Sequence, residues 1–257
     1  MTSISEKFKI LKKAKLVFEN WITYPLSYYN FIRDDFILFK TRSKKIIKLR
    51  KQSTDLMALT HVWLIEEYKK ENFEIKPNDI VIDVGAHIGL FTIYASQFCT
   101  NGKIYSFEPV TENYELLLEN IKLNNLDYVT SFNQAVSHSN EPIKLFLNND
   151  ESGHSMFSKS SKSVIVNSIS LQKFFDDNKI EHCNFLKLDC EGAEYEIIKN
   201  LPLEYFQKID KLVIEYHMAD SHPEFLIELK EMLSQQNFKI ETKKLFSDIG
   251  FLYAMKI

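Results

Sequence analysis

The residues able to do chemistry in this 257-residue chain stand at the ends of short apolar runs. Asp83 interrupts the run Ile80, Val81, Ile82 and Val84, and the turn-forming stretch Gly85-Ala86-His87-Ile88-Gly89 follows at once. Glu108 closes the next run, residues 103–107, about 25 residues beyond Asp83. Asp189 closes residues 184–188 and is followed by Glu191 and Glu194, and Glu215 and His217 close residues 211–216. An acid after a second strand suits hydrogen bonding to a ribose diol, while a glycine turn entering a helix lets backbone amides approach a nucleotide-like ligand.

The glycine pattern narrows the ligand. Gly85 and Gly89 are present, but neither the three-glycine dinucleotide fingerprint nor a P-loop sequence occurs. A glycine-poor turn with acids at the first and second strands fits a nucleoside carrying an amino acid instead of phosphates, which is S-adenosylmethionine. In that reading Asp83 orients the turn amides or accepts from the cofactor's amino group, and Gly85 and Ala86 let the backbone approach its methionine part. Gly89 starts the helix close to the sheet, His87 sits in the turn and can cap that helix, and Glu108 accepts from the ribose hydroxyls. A strand-end acid solvated at the surface is the plainer alternative for Glu108.

Asp189 is the expected base for a hydroxyl acceptor, because it ends a central strand beside the cofactor cleft. Glu191 points into the same cleft or lies outside it, and Glu194 equally suits a helix-capping role. Alternation places Glu215 and His217 on one face, where with Asp189 they form a base or an oxygen- and nitrogen-rich site for a divalent cation such as Mg²⁺. The ligand set is incomplete by sequence, so no metal is assigned. His154, within Ser152-Gly-His-Ser155, is either a contact to an acceptor hydroxyl or a surface histidine.

The elements that must position these groups alternate between strand and helix over residues 78–257, which gives an α/β class with a mainly parallel sheet. Strands are expected at residues 80–84, 103–107, 129–133, 141–147, 164–168, 184–189, 211–217, 240–245 and 251–257. Helices are expected from Leu90 through Phe98 and at 111–124, 171–175, 191–200 and 223–236. Residues 1–77 form an extension: a basic amphipathic helix within 5–32, a hairpin of 34–39 with 45–49, and a helix over 54–68. Residues 148–163 read as a polar loop over the site.

Composition excludes several classes. Apolar content of 45% and charged content of 26% suit a globule with a full core. Cys99, Cys183 and Cys190 lack metal-ligand spacing and fit free thiols in a reducing, cytoplasmic setting. No apolar run reaches the ~18 residues of a membrane span, and lysines interrupt any signal-peptide core. Residues 1–51 hold 13 basic against 4 acidic residues, a net +9 that leaves −12 for the rest of a chain whose total is −3. Within it, the amphipathic helix of residues 5–32 either packs on the main domain with a solvated lysine face or lies on an anionic membrane surface, peripherally at its inner face. With the basic charge confined to one end and no base-methylation motif, a nucleic-acid acceptor is not expected.

Three stretches in order, Asp83-Val-Gly-Ala-His-Ile-Gly89, Phe107-Glu-Pro109 and Lys187-Leu-Asp-Cys-Glu-Gly-Ala-Glu194, resemble the FkbM family of S-adenosylmethionine-dependent methyltransferases. The stretch Lys48-Leu-Arg-Lys-Gln-Ser-Thr-Asp55, with Tyr68, resembles the segment that precedes the fold in that family, so the likeness spans about residues 34–257. It implies a class I Rossmann-like fold, a seven-stranded sheet with helices on both faces and its last strand antiparallel. It also implies O-methylation of sugars, glycans or related small molecules, and adenine binding beside Asn133 and Ala135, which otherwise form an ordinary turn. An N-methyltransferase on the same fold and a non-catalytic cofactor- or membrane-binding protein are the competing functions.

Overall fold

The computed structural model describes residues 4–146 and 163–257. Along the chain these form α1 (Ile4–Val17), α2 (Thr23–Tyr28), β1 (Phe36–Lys40), β2 (Ile46–Arg50), α3 (Asp55–Leu59) and a π-helical turn (Thr60–Ile65). There follow β3 (Ile80–Val84), α4 (Leu90–Ala95), β4 (Lys103–Phe107), α5 (Thr111–Leu123), β5 (Val129–Phe132), β6 (Ala135–Ser137) and β7 (Ile143–Phe146). The rest is β8 (Ser163–Val166), β9 (Ser168–Ser170), α6 (Leu171–Asp177), β10 (Phe185–Leu188), α7 (Glu194–Lys199), α8 (Leu203–Phe206), β11 (Lys211–Tyr216), α9 (Pro223–Gln235), β12 (Phe238–Lys244) and β13 (Gly250–Lys256).

Seven strands form one sheet in the order β12-β13-β11-β10-β3-β4-β5. The pairs from β11 to β5 are parallel, and β13 runs antiparallel to both β11 and β12. This is the class I methyltransferase sheet. From β3 the chain winds outward through β4 and β5, then returns to the other side of β3 with β10 and β11. The C-terminal ends of β3 and β10 therefore flank the switch point where α/β folds place ligands.

Both faces of the central strands are buried, as their β-branched runs require. Val81, Phe185, Val213 and Phe251 face one core with α4 and the N-terminal segment. Ile82, Leu186, Leu212 and Leu252 face a second core toward α6, α7 and α9. The described part of the N-terminal segment, residues 4–77, thus shares a core with the sheet through Ala14, Phe18, Phe39, Leu49 and Trp63. The hairpin docks through asparagines of α5: Asn120 Oδ1 accepts from Lys48 N at 2.7 Å and Asn124 Oδ1 from Ile46 N at 2.8 Å. The amide of Asn120 donates to Lys48 O at 3.1 Å and Ile88 O at 2.9 Å, tying the hairpin to the glycine turn.

Several expected elements differ. The N-terminal helix divides into α1 and α2, with Ala14 and Phe18 buried on one side and Phe8 and Leu16 exposed on the other. The helix over 54–68 becomes α3 plus the π turn and stops at Glu66, which takes a left-handed φ of 55°. Ala95 ends α4, leaving Phe98 outside it. The strand at 141–147 is β7, which pairs with β8 outside the main sheet, and the strand at 164–168 is broken into β8 and β9. His154 and residues 148–162 of the polar loop lie outside the described residues.

Candidate active site

The turn after β3 is built by backbone geometry that side chains would block. Gly85 has a φ of +75°, and a Cβ there would lie 1.8 Å from the Asp189 carbonyl oxygen. Only glycine lets β3 end this close to β10. Gly85 N and Ala86 N donate to Phe107 O at 3.1 and 2.8 Å, fastening the turn to β4. Gly89, with φ +87°, lets α4 start against Leu117 of α5, where a Cβ would meet Leu117 Cδ1 at 2.6 Å.

A cleft of about 950 Å³, its open mouth included, lies over this turn. Gly85, Ala86, His87, Glu108, Ala135, Asp189 and Glu191 all line it. Glu108 is buried and accepts from His87 N at 2.8 Å and Val110 N at 2.9 Å. Burial pushes its carboxyl up to about 7, even though those two amides favour the ionised form. Val110, Ala135, Leu145 and Val166 pack into a small apolar cluster nearby, and the first three also line the cleft.

Three of the expected cofactor residues are engaged by other parts of the protein. Asp83 is fully buried and accepts from Lys187 Nζ at 2.9 Å and Thr92 Oγ1 at 2.7 Å, so it orients Lys187 and not the turn amides. Asn133 donates to the carbonyls of Glu108 and Pro109 at 2.9 and 3.1 Å, which pins the end of β4, and Gln134 lines the cleft beside Ala135. His87 Nε2 lies 3.2 Å from Arg50 Nη2, and Arg50 also pairs with buried Asp55 at 2.8 Å, so the histidine tethers the turn to the N-terminal segment.

Lys187 and Tyr68 also line the cleft, although the sequence reading gave neither a role there. Lys187 pairs with Asp83 in register across β10 and β3, and its ammonium donates to Gly85 O at 2.9 Å. Burial pulls its pKa down, but Asp83 and Asp189 outweigh that and hold it above the ordinary lysine value. A lysine inside the apolar run Phe185-Leu-Lys-Leu188 was the available signal, since an unpaired buried lysine is very costly. Tyr68, from the N-terminal segment, donates to Asp189 Oδ2 at 3.1 Å and Glu215 Oε2 at 3.4 Å.

Beyond Asp189 the structure gathers Glu191, Glu194, Glu215 and His217. Glu194 is fully buried; its Oε1 accepts from His217 N at 2.9 Å and lies 3.1 Å from His217 Nδ1, and its Oε2 accepts from Gly192 N at 2.8 Å. His217 Nε2 lies 3.6 Å from Glu191 Oε2. Burial pulls the imidazolium down, but Glu194, Glu191 and Asp189 raise it to about 10. Glu191 is pushed to about 7, chiefly by burial, and Glu215 stands well above the carboxylate range through burial and the nearby Asp189. Left-handed φ values at His87, Glu191 and Met218, of 52, 52 and 59°, turn the chain just after β3, β10 and β11.

A left-handed glycine under an open cleft, a buried carboxylate at the next strand end and a further acid at the switch point define a nucleoside-cofactor-binding transferase of the class I methyltransferase fold. Residues 83–240 match the Methyltransferase FkbM domain, and the chain belongs to that family of S-adenosylmethionine-dependent methyltransferases. It is 22% identical over 191 residues to Methyltransferase 1 of Beauveria bassiana, covering 65% of this chain and 76% of that one. Methyltransferase sdnD of Sordaria araneosa is 26% identical over 171 residues, 54% of this chain and 66% of that protein. Hexuronic acid methyltransferase AglP of Haloferax volcanii is 23% identical over 210 residues, 77% of this chain and 82% of that protein.

Proposed function

We propose that this methyltransferase acts on a hydroxyl of a sugar or related small molecule, with the cofactor over the Gly85 turn and the acceptor toward Asp189. When bound, S-adenosylmethionine supplies a methyl group activated by its sulfonium. Glu108 holds the ribose diol, Gly85 and Ala86 meet the amino-acid part, and the apolar wall of Val110, Ala135 and Leu145 receives the adenine. The glycine cradle and the buried carboxylate fit such a ligand without rearrangement of the strands. Asp189, Glu191, Glu215 and His217 form the polar side of the site. There the chain orients the acceptor and accepts its proton, with Asp189 the group facing the cleft, while Tyr68 and the π turn keep water out.

The observation that carries this reading is the meeting of Glu108 and Asp189 on one cleft, on either side of a turn that only glycine can make. The relative described as a hexuronic acid methyltransferase supports a sugar as the class of acceptor. The test is calorimetric titration with S-adenosylmethionine and S-adenosylhomocysteine, followed by a mass-spectrometric screen of uronic acids, hexoses and amines. Cofactor binding with methyl gain on a sugar oxygen supports the proposal; gain only on amines refutes the acceptor class. The exposed Phe8, Leu16, Tyr29 and Phe31 among the lysines of the N-terminal segment support a peripheral contact with anionic lipid. Sedimentation with phosphatidylserine vesicles tests it, and equal recovery with neutral vesicles rules it out.

A further inference from the structure

The cluster beyond Asp189 is arranged in a way that acid–base chemistry alone does not require. One oxygen each from Asp189 and Glu215 and one ring nitrogen of His217 lie within 4.8 Å of one another. Ligands around one small cation stand roughly 3–4 Å apart, so rotation of these side chains closes the set. His217 is nine-tenths buried and held on the side of Nδ1 by fully buried Glu194. Its Nε2 faces Glu191 Oε2 at 3.6 Å, on the side of the Asp189 and Glu215 carboxylates. A carboxylate on one ring nitrogen is the outer-shell arrangement of metal-binding histidines, and a cation bound at Nε2 would take the place of the proton that the surrounding carboxylates favour there. Tyr68 already bridges the Asp189 and Glu215 carboxylates through a single hydroxyl.

We propose that Asp189, Glu215 and His217 bind a divalent cation at the acceptor side of the cleft. Two carboxylates and one imidazole, with positions left for water or substrate oxygens, suit Mn²⁺ best and Mg²⁺ less well, because of the nitrogen. The site deepens the proposed function: a cation here holds acceptor oxygens beside the cofactor turn and lowers the pKa of a hydroxyl bound to it. Lys187 Nζ lies 3.7 Å from Asp189 Oδ2, and its charge is engaged by Asp83 at 2.9 Å.

The experiment is titration of the tag-free, chelator-treated full chain with Mn²⁺, read by the loss of the free-ion electron paramagnetic signal, with Mg²⁺ as competitor. One saturable Mn²⁺ per chain, displaced by Mg²⁺, is expected. Glu215→Ala and His217→Ala weaken it tenfold or more, and Glu194→Gln by about 10–100-fold through loss of the imidazole's orientation. Should the variants fail to fold, electron spin echo modulation of Mn²⁺ on the wild type decides, because coupling to one imidazole nitrogen must appear. Absence of saturable binding, binding unchanged in a folded His217→Ala protein, or bound Mn²⁺ without nitrogen coupling each overturns the site. Titration of the same sample with S-adenosylmethionine separates the two ideas. Cofactor binding without metal binding sinks the cation site alone, and absence of cofactor binding sinks the methyltransferase reading whatever the metal does.

Discussion

Glu108 makes cofactor affinity depend on pH in a direction the structure sets. Its carboxyl is 5% exposed and titrates near 7, displaced from the ordinary 4.5 mainly by burial. A folded pKa above the unfolded one adds stability that is full below about 4.5 and lost as pH rises through about 7, worth roughly 3 kcal/mol across the range. Above pH 7 the empty protein carries a buried carboxylate held by two amides, ready to accept from two ribose hydroxyls. Below pH 7 one oxygen carries a proton and ceases to accept freely. Apparent affinity then scales with the ionised fraction, about one part in ten at pH 6 and nine in ten at pH 8, so binding tightens about tenfold between them. The ligand for the assay is 5′-methylthioadenosine, which keeps the ribose and adenine but lacks the amino group, whose own ionisation near 8 would intrude. Calorimetry at pH 6, 7 and 8 on wild type and Glu108→Gln gives the comparison. The variant, always neutral, binds more weakly by about 1–3 kcal/mol and shows no pH dependence. A flat wild-type profile, or the same slope in both proteins, refutes the reasoning and moves the titration to Glu191.

Three other perturbations follow from the packing. Gly85→Ala sets a Cβ 1.8 Å from the Asp189 carbonyl at a φ of +75°; a loss of at least about 2 kcal/mol in urea unfolding is expected, and a change within 0.5 kcal/mol would refute the close approach. Lys187→Met strands the buried Asp83 carboxylate, now paired at 2.9 Å, and costs about 3–5 kcal/mol. Adding Asp83→Leu recovers part of that loss, and strict additivity in the double-mutant cycle would show that the pair does not interact. Asn120→Ala removes the partners of Lys48 N, Lys48 O and Ile88 O. It costs about 1–3 kcal/mol and speeds amide exchange at Lys48 ahead of the sheet, whereas uniform acceleration would mean the hairpin does not open on its own.

The central sheet was legible because buried parallel strands announce themselves. The runs at Ile80–Val84, Lys103–Phe107 and Lys211–Tyr216 are apolar on both faces, and their order with the intervening helices restricts the topology. The N-terminal segment was read less well. Its helices are short and their limits depend on what they pack against, as the π turn beside Trp63 shows, where the indole donates to Leu90 O at 3.2 Å.

At the site the division has a plain physical reason. Local sequence determined the glycine turn and the acid after β4, since a tight left-handed turn and a strand-end carboxylate are properties of a few adjacent residues. It also determined which side chains share a face, because strand alternation has a period of two. What stands opposite that face belongs to the tertiary structure alone. Asp83 was free to be a cofactor ligand until the register of β3 against β10 set it beside Lys187. Asn133 was free to meet adenine until the end of β4 claimed its amide. Asp189 ends β10 while Glu215 and His217 end β11, and Tyr68, which joins the two carboxylates, comes from a segment 121 residues before Asp189. Only long-range packing brings such groups within 4.8 Å, and it does so by placing the ends of β10 and β11 under the N-terminal segment that closes that side of the cleft.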